Sequence, residues 1–293
     1  MCHPPEPTSR RHVRVIAGTW PILREGGHLV TEQERVVPGI DATRPSVARI
    51  YDYWLGGKDN FAVDRETGGR MAELNPSLPR LVRDNRRFLC DAAARAAGDG
   101  VDQFLDLGAG LPAHPAGHEA VRKVHPGARV CYVDNDPAAA LHATVLLADG
   151  DGLAAVQADL TDADALLARP EVGAMLDFGR PVGIVLGAVL HFLPADAAAR
   201  LCAAYLTRAA RGSWLIVSTG YYADKELRDR VQEAATHARF WNHDAAAVTS
   251  WLAGLEIVPP GVCEAGRWVA GTGGVPTQRP VYPLAAAAVK TGD

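Results

Sequence analysis

No apolar run in this sequence approaches the roughly 18 residues that a membrane span requires. A basic excess is also missing. Thirty Lys and Arg stand against 34 Asp and Glu, a net charge of −4. That leaves no global positive field to hold nucleic acid or an anionic membrane, so neither is an expected partner. Cysteine is sparse. Cys2, Cys90, Cys131, Cys202 and Cys263 are odd in number, widely spaced and mostly set within apolar runs. They predict free, mostly buried thiols in a reducing compartment, not a disulfide frame or a zinc site. The N-terminus carries basic residues with no apolar stretch behind them, so no secretory signal is expected. Together these absences predict a soluble, cytoplasmic protein.

What is present suits a globular fold. Hydrophobic residues make up 48% and charged residues 22% of 293, enough for a sizeable core. Three regions are expected. Residues 1–39 form an N-terminal extension, either a mobile tail or a hairpin turning at Gly26-Gly27. Residues 40–100 form a helical cap. There Ser46 can cap a helix that ends at Gly56-Gly57, and a longer helix follows Pro79 and stops at Gly98. From Val101 to the C-terminus the rhythm changes. Apolar runs of strand length (VDQFLDLG, ARVCYVD, AAVQADL, VGIVLGAVL, SWLIVS) alternate with Ala-rich helical stretches. Strands apolar on both faces, alternating with helices, predict an α/β fold with a doubly wound, Rossmann-like, mostly parallel sheet. A long helical stretch from about Asp224 to Ala253 and a last pair of strands, GLEIVPPGV and VYPLAAAAVK, complete the pattern.

Ligands of such sheets bind at the carboxyl ends of the strands. After the first expected strand comes Asp106-Leu107-Gly108-Ala109-Gly110-Leu111-Pro112-Ala113. It formally satisfies G-x-G-x-x-G/A, in which glycines let a ligand approach the backbone. Asp106 discriminates between ligands. A carboxylate beside the glycines repels a pyrophosphate and attracts a ligand carrying ammonium and sulfonium charges, as S-adenosylmethionine does. Asp134, after the second strand, can accept from ribose hydroxyls in either ligand class. Asp159, after the third, can accept an adenine amino group, with Leu160 packing on the ring. Each could alone be a turn or cap residue. Three carboxylates at successive strand ends beside one Gly-rich turn form a more specific signal.

That pattern resembles class I S-adenosylmethionine-dependent methyltransferases. A fuller set of motifs resembles an actinobacterial family, formerly a domain of unknown function and now labelled S-adenosyl methyltransferase. These motifs are IDATRPSVARIYDYWLGGKDNFAVDRE, DNRRFL, QFLDLGAGLP, HEAVRKVHPGARVCYVDNDP, ADLTD and LDFGRPVGIVLGAVLHFLP. The resemblance runs from about Ile40 to the C-terminus. It implies a sheet of seven strands, the last antiparallel, with an N-terminal helical cap, and S-adenosyl-L-methionine as cofactor. Carried over, Asp106, Gly108 and Gly110 would line the methionine end, and Ala109 and Gly187 are further expected cofactor contacts. Asp134 with Asn135 would hold the ribose, and Asp159 with Leu160 the adenine. Tyr51, Tyr53, Lys58, Asn60 and Phe61 belong to the N-terminal signature and would cover the cofactor. Two positions depart from the family: Ser218-Thr219-Gly220 stands where Ser-His is frequent, and Thr161 where Arg is frequent. If those side chains touch the acceptor, its identity differs here.

His191, just past the fourth strand, is a candidate catalytic base; a histidine packing on the loop is the alternative. His114 and His118 are four apart, but Pro115 intervenes and no third ligand is evident, so no metal is expected. His237, Phe240, Trp241 and His243 could wall an acceptor pocket, or pack a helix. The expected activity is methyl transfer from S-adenosylmethionine to a small molecule, plausible in secondary metabolism. An NAD(P)-dependent oxidoreductase, or a protein that binds S-adenosylmethionine without methyl transfer, stays open. So does the assembly, a homodimer among the options.

Overall fold

The computed structural model describes residues 40–141, 151–235, 237–273 and 280–292. The expected extension 1–39 and most of a helix expected from Pro137 onward lie outside them, as does Cys2. Five parallel strands form the sheet's body: β1 (Gln103–Leu107), β2 (Arg129–Asp134), β3 (Leu153–Gln157), β4 (Gly183–Gly187) and β5 (Trp214–Tyr222). Beside β5 runs the antiparallel β8 (Val281–Val289). Two two-residue strands, β6 (Glu256–Ile257) and β7 (Cys263–Glu264), both pair antiparallel with β8. The spatial order is β3-β2-β1-β4-β5-β8-β6. The sheet is the expected Rossmann-like one, with eight strands in seven positions. β6 and β7 are one edge strand interrupted at Pro259-Pro260, because proline has no N–H to give to a ladder.

Period-two alternation sends side chains to opposite faces, and both faces are buried. Leu105, Leu107, Cys131, Val133, Ile184, Leu186, Leu215 and Val217 enter one core. Phe104, Val130, Val185, Trp214 and Ile216 enter the other, with Phe88, Ala92 and Ala96 of the long helix α3 (Leu78–Gly98). Phe88 is fully buried, edge-on to Trp268 at 5.1 Å. Burial of such a ring is worth about 1.5–3 kcal/mol. Cys90, Cys131, Cys202 and Cys263 are free and buried.

Two short helices precede α3: α1 (Val47–Leu55) and α2 (Ala62–Leu74). Gly56, at φ 85°, closes α1 in the left-handed conformation that favours glycine. Ser46 does not cap α1 with its side chain. Its hydroxyl donates instead to Asp136, in the loop after β2, and its N–H donates to Asp64 of α2 at 2.9 Å. Asp64 also takes the Phe61 N–H at 2.8 Å and Nε of Arg49 at 2.7 Å, in a pair almost wholly buried. Those donors satisfy a carboxylate that burial would otherwise penalise.

The stretch from Asp224 to Ala253 is two helices rather than one. These are α8 (Lys225–Ala234) and α9 (Ala245–Trp251), counting α4 (Gly117–Val124), α5 (Ala163–Leu167), α6 (Pro170–Met175) and α7 (Ala195–Arg208) before them. Asp244 starts the second by accepting the Ala247 N–H at 2.8 Å. Between them, Asn242 exchanges two hydrogen bonds with the backbone of Tyr222 (2.8 and 2.9 Å). This pins the irregular segment to the end of β5.

Candidate active site

The chain runs outward from β1 through β2 to β3, then returns to β4 on β1's other side. That switch opens a crevice beyond the carboxyl ends of β1 and β4. Gly108 sits there at φ 71°, where a Cβ would lie 2.4 Å from Val189 Cγ2; only glycine fits. Gly110, at φ 66°, has no atom within 4 Å of where a Cβ would lie, so the turn is open on that side. The N–H groups of Gly108 and Ala109 donate to the Val133 carbonyl (2.8 and 3.0 Å). That of Gly110 donates to Asp134 Oδ2 at 2.8 Å. Asp134 Oδ1 accepts from the Asp136 N–H at 2.8 Å. Asp134 therefore shapes the glycine turn as well as facing the crevice.

A cavity of about 680 Å³ fills the crevice. Asp106, Gly108, Ala109, Gly110, Asp134 and Asn135 line it, as do Asp159, Leu160 and Gly187 from the next loops. A Cβ on Gly187 would press on the Leu89 side chain at 2.5 Å. Asp159 Oδ1 takes the N–H and hydroxyl of Thr161 (2.8 and 2.7 Å). The Leu160 carbonyl is fixed by the Tyr205 hydroxyl at 2.7 Å. From above, one stripe of α1 closes the cavity: Val47, Ala48, Tyr51, Asp52 and Leu55, the spacing of a single helix face.

The cavity is acidic. Asp41, Asp52, Asp106, Asp134, Asp136 and Asp159 line it against Arg44, Arg49 and Arg86, and Arg49 is already paired with Asp64. Asp106 makes no hydrogen bond to a described residue. Burial pushes its carboxyl up to about 6, with Asp134 adding to the rise and Arg86 opposing it. Asp134 is raised as well, again by burial. A ligand bringing ammonium and sulfonium charges relieves this electrostatic cost, whereas a pyrophosphate adds to it. The residues fit S-adenosylmethionine, and the open side of Gly110 leaves room for close approach.

Four expected contacts lie elsewhere: Tyr53, Lys58, Asn60 and Phe61. Tyr53 is two residues from Tyr51, about 200° round the helix; it packs on α2, where a Cβ on Gly68 would lie 2.9 Å from its ring. Lys58 is exposed beyond the Gly56 cap. Asn60 is buried and donates to Asp52 Oδ2 (2.8 Å) and to the Gly57 carbonyl (3.0 Å). The Asp59 N–H also meets Asp52 Oδ2, at 3.0 Å. A Cβ on Gly57 would fall 1.9 Å from Asp52 Oδ1. Gly57, Asp59 and Asn60 thus wrap the Asp52 carboxylate. Phe61 packs on the Arg49 guanidinium, 5.0 Å from ring centre. Sequence reasoning missed Ser46, Asp136 and Arg86; their signal is tertiary.

A second cavity, of about 120 Å³, abuts the first. Val47, Tyr51, Ala188, Phe192 and His237 line both. Ala188 has φ 56°, an uncommon conformation for a residue with a Cβ. Its N–H is held by the Ser218 hydroxyl at 2.9 Å. His191 lines this second cavity, its ring tilted against that of Phe192 with centres 4.3 Å apart. Its Nδ1 accepts the Gly220 N–H at 3.3 Å, so the ring proton sits on Nε2. Burial, helped by His243, lowers its pKa to about 3. The Nδ1 of the side chain expected as a base is thus already engaged by the backbone. His237, Phe240 and Trp241 line the cavity too. His243 does not, since its Nε2 meets the carbonyls of Leu190 and Leu193 (3.2 and 2.9 Å). His114 pairs with Glu119 at 3.1 Å and His118 with the Tyr132 hydroxyl at 2.9 Å. No group of metal-ligating side chains gathers among the described residues.

The sequence model of a family described as S-adenosyl methyltransferase matches residues 33–291. Among solved structures, a candidate methyltransferase of Thermobifida fusca YX is 31% identical, with a TM-score of 0.78 over 87% of this chain and 98% of its own. A duf574 family protein of Streptomyces avermitilis MA-4680 is 33% identical, with a TM-score of 0.77 over 84% of this chain and 97% of its own. No curated protein matches the chain.

Proposed function

We propose, from the premise that the chain belongs to the S-adenosyl methyltransferase family, that it methylates a small molecule held in the second cavity. That it is an S-adenosylmethionine-dependent methyltransferase follows from the family. The acceptor and the residue roles are our reading. What carries it is the pairing of two adjoining cavities of opposite character: a large acidic one at the strand ends and a small apolar one beside it.

When bound, S-adenosylmethionine supplies an electrophilic methyl group on sulfur. The chain's own work is then binding, alignment and exclusion of water. Asp106 faces the ammonium end, Asp134 and Asn135 the ribose, and Asp159 and Leu160 the adenine. Tyr51 and the α1 stripe cover the ligand. We read residues 40–100 as a cap on a binding domain of residues 101–293. Ala188 and Phe192, common to both cavities, would set the line along which an acceptor atom approaches. The setting we infer is small-molecule, secondary metabolism in an actinobacterial cytoplasm. The buried free thiols support a reducing compartment, and no described helix is long and apolar enough to cross a membrane.

A thermal shift with S-adenosylhomocysteine against NAD(P) tests the cofactor reading, because a ligand of the native state raises stability by mass action. Stabilisation by S-adenosylhomocysteine alone is expected; stabilisation by NAD(P) alone would overturn it. Transfer of labelled methyl across a metabolite panel tests the acceptor. Binding with no methylated small molecule would remove that part.

A further inference from the structure

Among the described residues, three side chains lining the second cavity carry a buried polar atom with no hydrogen-bond partner: Asn85 Oδ1, Thr219 Oγ1 and His237 Nδ1. Asn85 is 3% exposed and Thr219 1%. An orphaned buried polar atom costs about 1–3 kcal/mol and calls for an explanation. The side chains that carry them line one space, and the three atoms themselves are buried at its wall. No described Asp, Glu, Lys or Arg lines that space, so among the described residues an ionised occupant finds no counter-charge. Its volume, about 120 Å³, is of the order that takes one aromatic ring, since an apolar cavity of about 150 Å³ holds benzene. Phe192 and Phe240, with ring centres 5.4 Å apart, form part of the wall.

We infer that this cavity is the acceptor subsite for an uncharged, hydroxyl-bearing ring of single-ring size, and that His237 receives the hydroxyl proton. The inference rests on the reading of the two cavities given above. A hydroxyl is donor and acceptor at once. It can donate to Asn85 Oδ1 or His237 Nδ1 and accept from Thr219 Oγ1, so it suits the orphaned set. A ketone has nothing to donate. An ammonium or carboxylate meets no opposite charge. His237 lines both cavities, which puts it at the junction where the hydroxyl must meet the methyl group. There a lone pair of the hydroxyl oxygen forms the new O–CH3 bond, the S–CH3 electron pair stays with sulfur, and the proton passes to Nδ1 of His237. His191 cannot take that proton at Nδ1, which already accepts the Gly220 N–H.

The test is calorimetric titration of the S-adenosylhomocysteine-loaded protein with mono- and dihydroxybenzenes, benzoate and benzylamine. Binding of the neutral phenols alone is expected. Thr219→Val, which removes only the hydroxyl, should weaken it about fivefold to tenfold, with S-adenosylhomocysteine affinity unchanged. Thr219→Ser should restore it. His237→Gln should keep phenol binding and slow labelled methyl transfer at least tenfold. Preference for benzoate or benzylamine, or no phenol binding to the loaded protein, overturns the inference. Loss of S-adenosylhomocysteine binding in the unaltered protein would instead strike the cofactor reading itself.

Discussion

Replacing Asp106 by Asn should make the fold more stable and the cofactor weaker. The carboxyl moves from 3.8 to about 6 on folding, chiefly because it is buried. A raised carboxylate pKa means that the folded state disfavours the ionised form. The cost is absent below about pH 4, grows as the pH rises towards 6, and is full above it. One pKa unit corresponds to 1.36 kcal/mol, so the burden at neutral pH is about 3 kcal/mol. Asn carries no charge and should recover part of that, raising the melting temperature at about pH 7.5 by several degrees. The opposite holds for ligand binding. If the ionised form alone meets the ligand's ammonium group, affinity for S-adenosylhomocysteine should fall about tenfold from about pH 7.5 to about pH 5. In the Asn variant it should be weaker at pH 7.5 and nearly flat with pH. Asp134, also raised, contributes its own slope to both proteins, so the difference between the two profiles is the informative quantity. Calorimetric titration across that range, with melting curves on the same samples, gives both numbers. Parallel pH profiles in the two proteins, or an unchanged melting temperature, would refute the reasoning.

Gly108→Ala should lose cofactor binding and about 1–3 kcal/mol of stability, since φ is 71° and the new Cβ would meet Val189 at 2.4 Å. Equilibrium denaturation with a cofactor titration checks both, and wild-type values would show the turn to be more pliable than drawn. Arg49→Met should cost about 3–5 kcal/mol by leaving Asp64 buried without its cation. A loss under 1 kcal/mol in urea unfolding would mean that the Ser46 and Phe61 N–H groups suffice. Ser46→Ala should speed amide exchange across residues 46–55 and weaken S-adenosylhomocysteine binding severalfold, because its hydroxyl ties α1 to Asp136. Unaltered exchange would leave that tether without consequence.

Much of the crevice was legible because its logic is local. Asp106, Gly108, Asp134 and Asp159 each follow an apolar run of strand length, and the doubly wound topology brings such loops together at one end. The α1 contacts were half legible. Tyr51 faces the cavity and Tyr53 does not, which follows from 3.6 residues per turn once the helix's facing stripe is known. Sequence alone gives the period but not its phase. Lys58 and Asn60 were expected at the ligand through the N-terminal signature, but Lys58 follows the Gly56 turn and Asn60 is used on Asp52. The second cavity's wall was legible in part: Thr219, His237, Phe240 and Trp241 stood out in the sequence and line it, whereas Asn85 and Ala188 carry no such signal. Asn85, Ala188, Thr219 and His237 lie on α3, the β4 loop, β5 and the α8–α9 connection. The bond pair between Asn242 and Tyr222 that draws in this last segment has no signature of its own.

The interrupted strand beside β8 bears on how the protein behaves at high concentration. An open sheet edge is a template on which another chain can add a strand, the first step towards aggregation. Here the outermost chain advances six residues, from Ile257 to Cys263, while β8 advances three, from Ala288 to Ala285. Pro259 and Pro260 fall inside that excursion, without an N–H between them. The outside of the sheet therefore presents two-residue stubs separated by a bulge, not a continuous row of donors and acceptors. At the other margin β3 is five residues long, and its last carbonyl, of Gln157, accepts from Arg169 at 3.0 Å. Among the described residues, the β6–β7 margin thus offers no continuous template on which a further strand could be added.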